Sequence, residues 1–273
     1  MSGLEHISST FNATRIEGRP ALMPYFTLGY PTQAASMQII SAIARAGADL
    51  IELGIPFSDP LADGPTIQHS TQVALENGTS VRRCLEMTAQ LCRGGVSQPL
   101  LLMGYYNPLL SYGLGRFVAD ASLAGADGLI VPDLPPEEAG ELESHCRAHQ
   151  LAMVFLVAPT STPERISLVA AHSTGFLYLV SLAGVTGARE QLSSNLDEFI
   201  ERVRAVTSLP LAVGFGISTP RQARQAGGLA EGVIVGSALI HAAGQSERPE
   251  QASGAFVGEI KEALTQARRK VSG

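Results

Sequence analysis

The feature that most constrains this chain is an alternation that runs along its length. Eight short runs rich in β-branched and other apolar residues recur: "ALMPYFTLG" (21–29), "DLIELGI" (49–55), "PLLLMGYY" (99–106), "GLIVPD" (128–133), "AMVFLVAP" (152–159), "FLYLVS" (176–181), "PLAVGFGI" (210–217) and "EGVIVG" (231–236). Continuous apolar runs of this length read as strands buried on both faces, which is the condition of a parallel sheet. Between them lie segments with helical spacing, among them "QAASMQIISAIARAG", "TPERISLVAAHS", "NLDEFIERVRAVT" and the final "GAFVGEIKEALTQARRKV". Thr162-Pro163-Glu164 supplies an N-cap, a first-turn proline and an acid at the positive end of the dipole. "GAD" at 47–49 and again at 125–127 places a glycine where a helix ends before a strand. Strand–helix units in this number predict a (β/α)8 barrel, the TIM-barrel class, since an open doubly wound sheet would need fewer strands or a break. An extra N-terminal helix is expected in residues 1–19, and extra short helices in the strand-to-helix loops, with more than one helix in 62–95. No linker or shift in composition divides the chain, so 1–273 is expected to form one barrel domain.

Composition excludes several function classes. A net charge of −6 gives no electrostatic reason for a nucleic-acid or anionic-membrane partner, yet a small anion can still be held by local dipoles. No apolar stretch reaches the ~20 residues that span a bilayer. The N-terminus carries acidic and polar residues where the apolar core of an export signal would lie, so a cytoplasmic location is expected. Cys84, Cys92 and Cys146 match no disulfide or metal-knuckle spacing. His145 and His149 stand four apart beside Cys146, but "ELESHCRAHQ" is polar all round and offers no third ligand, so no metal site is expected.

In such a barrel the chemistry belongs at the C-terminal ends of strands and on the loops that follow them. Glu52 lies inside the second apolar run, where burying a charge costs several kcal/mol unless it is paired or neutralised. Period two groups it with Leu50 and Gly54, opposite Ile51, Leu53 and Ile55. A carboxyl in the barrel mouth would be desolvated and its pKa raised toward neutrality. A structural carboxylate paired across the barrel is an equal reading of Glu52 alone. Asp63 returns to the same mouth on the following loop, and two acids in different environments are a usual way to divide acid and base roles. Asp59, in Asp-Pro, is also ordinary turn chemistry.

Three glycine-rich stretches follow the sixth, seventh and eighth runs: "AGVTGA" (183–188), "GFGIS" (214–218) and "VGSALI" (235–240). Backbone N–H groups of Gly216, Gly236 and Ser237 can converge on one anion at a helix N-terminus, the usual barrel phosphate site. The long, small-residue segment 181–195 reads as a lid from which Thr186 reaches the ligand.

Together "ELGIPFSDPLADGPTIQ", "GYYNPLLSYG", "GLIVPDLP", "GVTGAR", "GFGIS" and "VGSALI" closely resemble the tryptophan synthase alpha subunit family, in that family's order and over essentially the whole chain. The resemblance implies cleavage of indole-3-glycerol phosphate to indole and glyceraldehyde 3-phosphate. It makes Glu52 the acid and base, Asp63 the partner of the indole N–H, and Tyr178 a supporting residue. Gly187, Gly216, Gly236 and Ser237 would hold the phosphate, and Tyr25, Met103, Tyr105 and Phe215 would line the indole slot. The loop carrying Asp59 and the lid carrying Thr186 would face a beta subunit, a pyridoxal-phosphate enzyme that joins indole to serine in an α₂β₂ heterotetramer. The chain itself would need no cofactor. Tyr25 stands where a Phe is familiar, Tyr30 where an Asp occurs, and Leu182 where Arg is frequent. The alternatives are a phosphate-binding barrel acting on another sugar phosphate, and a non-catalytic or mainly allosteric subunit that activates a beta-type partner.

Overall fold

The computed structural model describes residues 1–180, 193–214 and 216–266. Each apolar run becomes strand: β1 (Ala21–Thr27), β2 (Ile51–Gly54), β3 (Leu100–Met103), β4 (Gly128–Ile130), β5 (Ala152–Val154), β6 (Leu156–Val157), β7 (Leu177–Val180), β8 (Leu211–Gly214) and β9 (Gly232–Val235). They hydrogen-bond in the order β5-β4-β3-β2-β1-β9-β8-β7-β6, and every pairing is parallel. The run at 152–159, expected as one strand, is broken at Phe155. Its first half pairs with β4 and its second with β7, and the Phe155 carbonyl accepts from the Tyr178 N–H at 3.1 Å. The sheet therefore begins and ends in one stretch of chain, and closes as a barrel of eight staves.

Helices jacket the barrel: α1 (Gly3–Ile16), α2 (Gln33–Arg45), α3 (Pro65–Glu76), α4 (Val81–Arg93), α5 (Tyr106–Tyr112), α6 (Leu114–Ala124), α7 (Gly140–Ala148), α8 (Pro163–His172), α9 (Ser193–Arg204), α10 (Pro220–Gly227), α11 (Ser237–Gly244) and α12 (Pro249–Thr265). Their starts follow local chemistry. Ser2 and Glu5 form a capping box, and Thr32, Ser80, Thr162 and Thr219 each accept an otherwise orphaned backbone N–H. The strand reading of 99–106 ends early, because α5 begins at Tyr106, whose N–H donates to Asp133 at 2.9 Å.

Two apolar layers result. Leu22, Phe26, Ile51, Leu53, Leu100 and Leu102 point outward to the helices. Ala21, Met23, Leu50, Leu101, Ala152, Ala212 and Ile234 fill the barrel, joined from below by Ile7 and Phe11 of α1. Phe11 meets Phe176 at 5.7 Å between ring centroids, so α1 plugs the N-terminal end.

That end is also clasped by a repeated hydrogen bond. The residue leading into every second stave accepts the first or second N–H of the stave before it. Asp49 accepts from Leu22 (2.8 Å), Asp127 from Leu100 (2.8 Å), Thr174 from Met153 (2.8 Å) and Glu231 from Leu211 (2.9 Å). Each carboxylate is also neutralised. Arg19 grips Asp49 at 2.7 and 2.9 Å and Lys261 reaches it at 2.8 Å, while His6 pairs with Asp127 at 2.9 Å and Arg204 with Glu231 at 2.7 Å. Arg19 and Lys261 hold the Asp49 carboxyl below the usual carboxylate range against its burial. Asp127 departs from this pattern, because burial outweighs its donors and raises it.

Candidate active site

Glu52 sits in the middle of β2 on the inward face, with no solvent exposure. Among the described residues neither carboxyl oxygen has a hydrogen-bond partner. Among the described residues no Lys or Arg pairs with it across the barrel, as a structural carboxylate would need. Burial alone raises this carboxyl to about 8, so it carries its proton at neutral pH.

Asp63 reaches the same mouth from the loop after β2. That loop folds on itself: the Leu61 N–H donates to the Asp59 carbonyl at 2.9 Å, and the Asp63 N–H to the Pro60 carbonyl at 3.0 Å. Gln68 of α3 donates to the Asp63 carbonyl at 2.8 Å, and the Ala62 N–H donates to the Tyr105 hydroxyl at 2.9 Å. Pro65 then starts α3 in the position where a missing N–H costs nothing. Burial raises the Asp63 carboxyl to about 6, while the Tyr105 hydroxyl favours its ionised form. The two acids differ because one has a donor beside it and the other has none.

Three tyrosines wall the acids. Tyr25 of β1 is the register partner of Glu52, and Tyr178 of β7 is the register partner of Leu156. All three tyrosines, Tyr25, Tyr105 and Tyr178, are at least nine-tenths buried and harder to ionise than usual, first through burial and then through the nearby acids. Tyr25 and Tyr178 each lean over a glycine of the next stave, Gly54 and Gly214, so closely that a Cβ at either glycine would collide with the phenol oxygen. Met103 closes β3 on the inner face and is also buried.

The phosphate candidates divide. Gly216 has a positive φ of 78°, which favours glycine, and Gly236 leads directly into α11, whose first residue is the exposed Ser237. Gly187, Thr186, Leu182 and Phe215 lie outside the described residues. Asp59 stands away from the acids, on the outer lip. With Phe57, Leu61, Ala62, Tyr105, Asn107 and Asp133 it lines a pocket of about 440 Å³, beside a Leu61 that is 92% exposed. Among the described residues no group of three His, Cys, Asp or Glu could hold a metal ion. Cys146 of the helix with the paired histidines is buried, and no described helix is long and apolar enough to cross a membrane.

A family model described as tryptophan synthase alpha chain matches residues 11–268. The chain belongs to the tryptophan synthase alpha chain family. A tryptophan synthase alpha chain of Chloroflexus aggregans is 53% identical over 252 residues, covering 92% of this chain and 94% of that one. One from Roseiflexus is 55% identical over 238 residues, 87% and 91% of the two chains. Among solved structures, a Mycobacterium tuberculosis tryptophan synthase matches with a TM-score of 0.88 at 40% identity, covering 95% of this chain and 98% of that one. The alpha chain of Legionella pneumophila matches with a TM-score of 0.87 at 36% identity, covering 97% of each.

Sequence reasoning about this tryptophan synthase alpha chain missed several residues of the mouth. Thr27 and Ser70 contact each other behind Tyr25 (2.7 Å), and Asn107 and Asp133 shape the outer pocket. Asp133 had a signal, an acid directly after a strand in "VPDLP". Thr27 and Ser70 had none, because a strand-end threonine and a helical serine are ordinary.

Proposed function

We propose that this tryptophan synthase alpha chain cleaves indole-3-glycerol phosphate to indole and glyceraldehyde 3-phosphate, with Glu52 as the proton donor and acceptor. The observation that carries the assignment is the Glu52 carboxyl, fully buried in the barrel mouth, unpartnered among the described residues and raised to about 8. In acid form it protonates the indole ring at C3. The resulting carboxylate takes the proton from the side-chain hydroxyl beside the scissile bond. As that O–H electron pair becomes the aldehyde C=O, the carbon–carbon bond breaks and its electrons return to the ring, giving indole. Asp63, raised only to about 6, is largely ionised at neutral pH and accepts from the indole N–H as positive charge builds there. Tyr178 supports the acids from across the mouth.

Tyr25, Met103, Tyr105 and Phe215 line the indole slot. Gly187, Gly216, Gly236 and Ser237 hold the phosphate, with the α11 dipole behind it. The lip that carries Asp59 and the exposed Leu61 takes a tryptophan synthase beta chain, and Thr186 closes on the same side. The assembly is an α₂β₂ heterotetramer in the cytoplasm, with pyridoxal phosphate in the beta chain and no cofactor in this one.

Indole release by the purified chain, with and without a beta chain, tests the reading. Turnover should be slow alone and faster with the partner. Glu52→Gln should lower kcat by ~10²–10⁴-fold, the scale of general acid–base catalysis, in both settings. Unchanged turnover in that variant would return Glu52 to a structural role. Stimulation of the partner without any indole release would favour an allosteric subunit.

A further inference from the structure

A row of hydroxyls runs behind the mouth, and its hydrogen-bond direction is fixed by counting protons. Ser70 Oγ donates to the Ile67 carbonyl of its own helix at 2.8 Å, so its single proton is spoken for. The 2.7 Å contact between Thr27 Oγ1 and Ser70 Oγ must then run from Thr27 to Ser70. That commits the Thr27 proton, and the 3.3 Å contact between Tyr25 Oη and Thr27 Oγ1 must run from Tyr25 to Thr27. All three residues are buried, so no solvent competes for these protons. The Tyr25 oxygen is left with lone pairs and no proton to offer the mouth.

Tyr105 has the opposite polarity. It accepts the Ala62 N–H at 2.9 Å, so its own proton is free to favour the Asp63 carboxylate, which it does. Of the two tyrosines, one can donate toward the acids and the other can only accept. A carboxylate has nothing to give an acceptor, whereas a carboxylic acid has one O–H. Tyr25 and Glu52 are register partners on adjacent parallel strands, on the same face and about 4.8 Å apart in the hydrogen-bonding direction. Among the described residues no group, Tyr25 included, is hydrogen-bonded to either Glu52 oxygen. Tyr25 Oη lies against Gly54, two residues along the same face of β2 from Glu52, and the Glu52 carboxyl must turn about its side-chain bonds to reach it.

We propose that Tyr25, oriented by Thr27 and Ser70, is a positioning residue that accepts from the protonated Glu52 and holds it as the acid before substrate is protonated. The inference rests on Glu52 being the proton donor. Among the described residues the titratable groups that interact with Glu52 are Tyr25 on β1 and Tyr178 on β7, while Asp63 on the following loop and Tyr105 after β3 interact with each other and Asp63 with both other tyrosines. Burial raises the Glu52 carboxyl whether or not Tyr25 keeps its proton, which separates the two influences.

The decisive variant is Thr27→Val, which retains Tyr25 but frees its proton. Tyr25 can then donate to a Glu52 carboxylate, and a hydrogen bond to the charged form lowers a pKa. The alkaline limb of the kcat/KM profile should move down by about one pH unit, the size of one hydrogen bond to a charge. Tyr25→Phe, which removes the acceptor, should move it down by less. Thr27→Ser restores the hydroxyl and should restore the wild-type limb. Infrared titration of the protonated-carboxyl band that is lost in Glu52→Gln gives the same midpoint without turnover. Midpoints unchanged in both Thr27→Val and Tyr25→Phe would overturn the proposal, and if Thr27→Val does not fold, Tyr25→Phe decides alone. A Glu52→Gln variant that turns over normally, with the infrared shifts intact, would instead overturn the catalytic role and leave the hydroxyl chain standing.

Discussion

The two ends of the barrel treat carboxyl groups in opposite ways. At the N-terminal end Asp49, Asp127 and Glu231 each accept a strand N–H, and each meets a basic side chain, a guanidinium for Asp49 and Glu231 and the His6 ring for Asp127. At the C-terminal end Glu52 and Asp63 are as deeply placed, neither is held by a cation among the described residues, and both are raised. The lower acids are staples between neighbouring staves and between barrel and helices. The upper acids keep a proton available. The same residue types on the same scaffold differ only in what lies within hydrogen-bond reach.

Removing one partner from the lower end should have the largest effect on stability. Asp49→Asn leaves Arg19 and Lys261 without their shared counter-charge and should cost about 3–5 kcal/mol in denaturant unfolding, as breaking buried pairs does. Its kcat should remain near wild type, because the mouth lies at the other end. A variant that kept its stability would show the clasp to be decorative.

The second way to sharpen the comparison is pH, where Glu52 and Asp49 have opposite signs. Glu52 holds its proton to about 8 when folded, against ~4.3 in an unfolded chain. Its contribution to stability is therefore fully present below ~4.3 and lost as pH rises toward about 8. Asp49 is lowered on folding, so its contribution is present above ~4 and lost on acidification. Melts across pH should lose their downward slope between 5 and 8 in Glu52→Gln and their acid sensitivity in Asp49→Asn. Activity should follow the upper pair alone, rising through about 6 as Asp63 ionises and falling above about 8 as Glu52 gives up its proton. Outside that window the change should approach tenfold per pH unit.

The smallest effect belongs to the one neutral member of the clasp. Thr174→Val removes the acceptor of the Met153 N–H at an exposed position, and should cost about 1 kcal/mol with no change in the pH slope. A pH-dependent loss would mean that Thr174 acts through a neighbouring charge.

Much of this arrangement was legible in the residues. Period two grouped Glu52 with Leu50 and Gly54, the fold turns that group inward, and the interior and exterior apolar layers divide as that period requires. Of the glycine-rich turns, Gly216 takes a positive φ of 78° that favours glycine, and Gly236 leads into α11. What escaped has a physical reason in each case. Phe155 breaks a stave because the barrel must close there, a property of the whole sheet and not of the local run. Tyr106 starts a helix inside a strand-like "GYY" because Asp133, 27 positions away, takes its N–H. The two "GAD" segments read as helix ends, yet their aspartates bond to strands 27 residues earlier. The hydroxyl row behind Tyr25 joins residues 43 positions apart, Thr27 and Ser70, and no local pattern announces it.

The contacts of Tyr25 with Gly54 and of Tyr178 with Gly214 bear on how this pocket can be reshaped by mutation. Each phenol occupies the volume that a side chain on the next stave would need. Positions 54 and 214 thus admit a side chain only where the facing tyrosine moves aside, and open once a tyrosine is shortened. Single-site libraries at either glycine should return mostly glycine, whereas libraries that vary 25 with 54, or 178 with 214, gain a new family of pocket walls. Adaptation to a bulkier or differently substituted indole is therefore reached most readily in pairs of changes, with the tyrosine changing first.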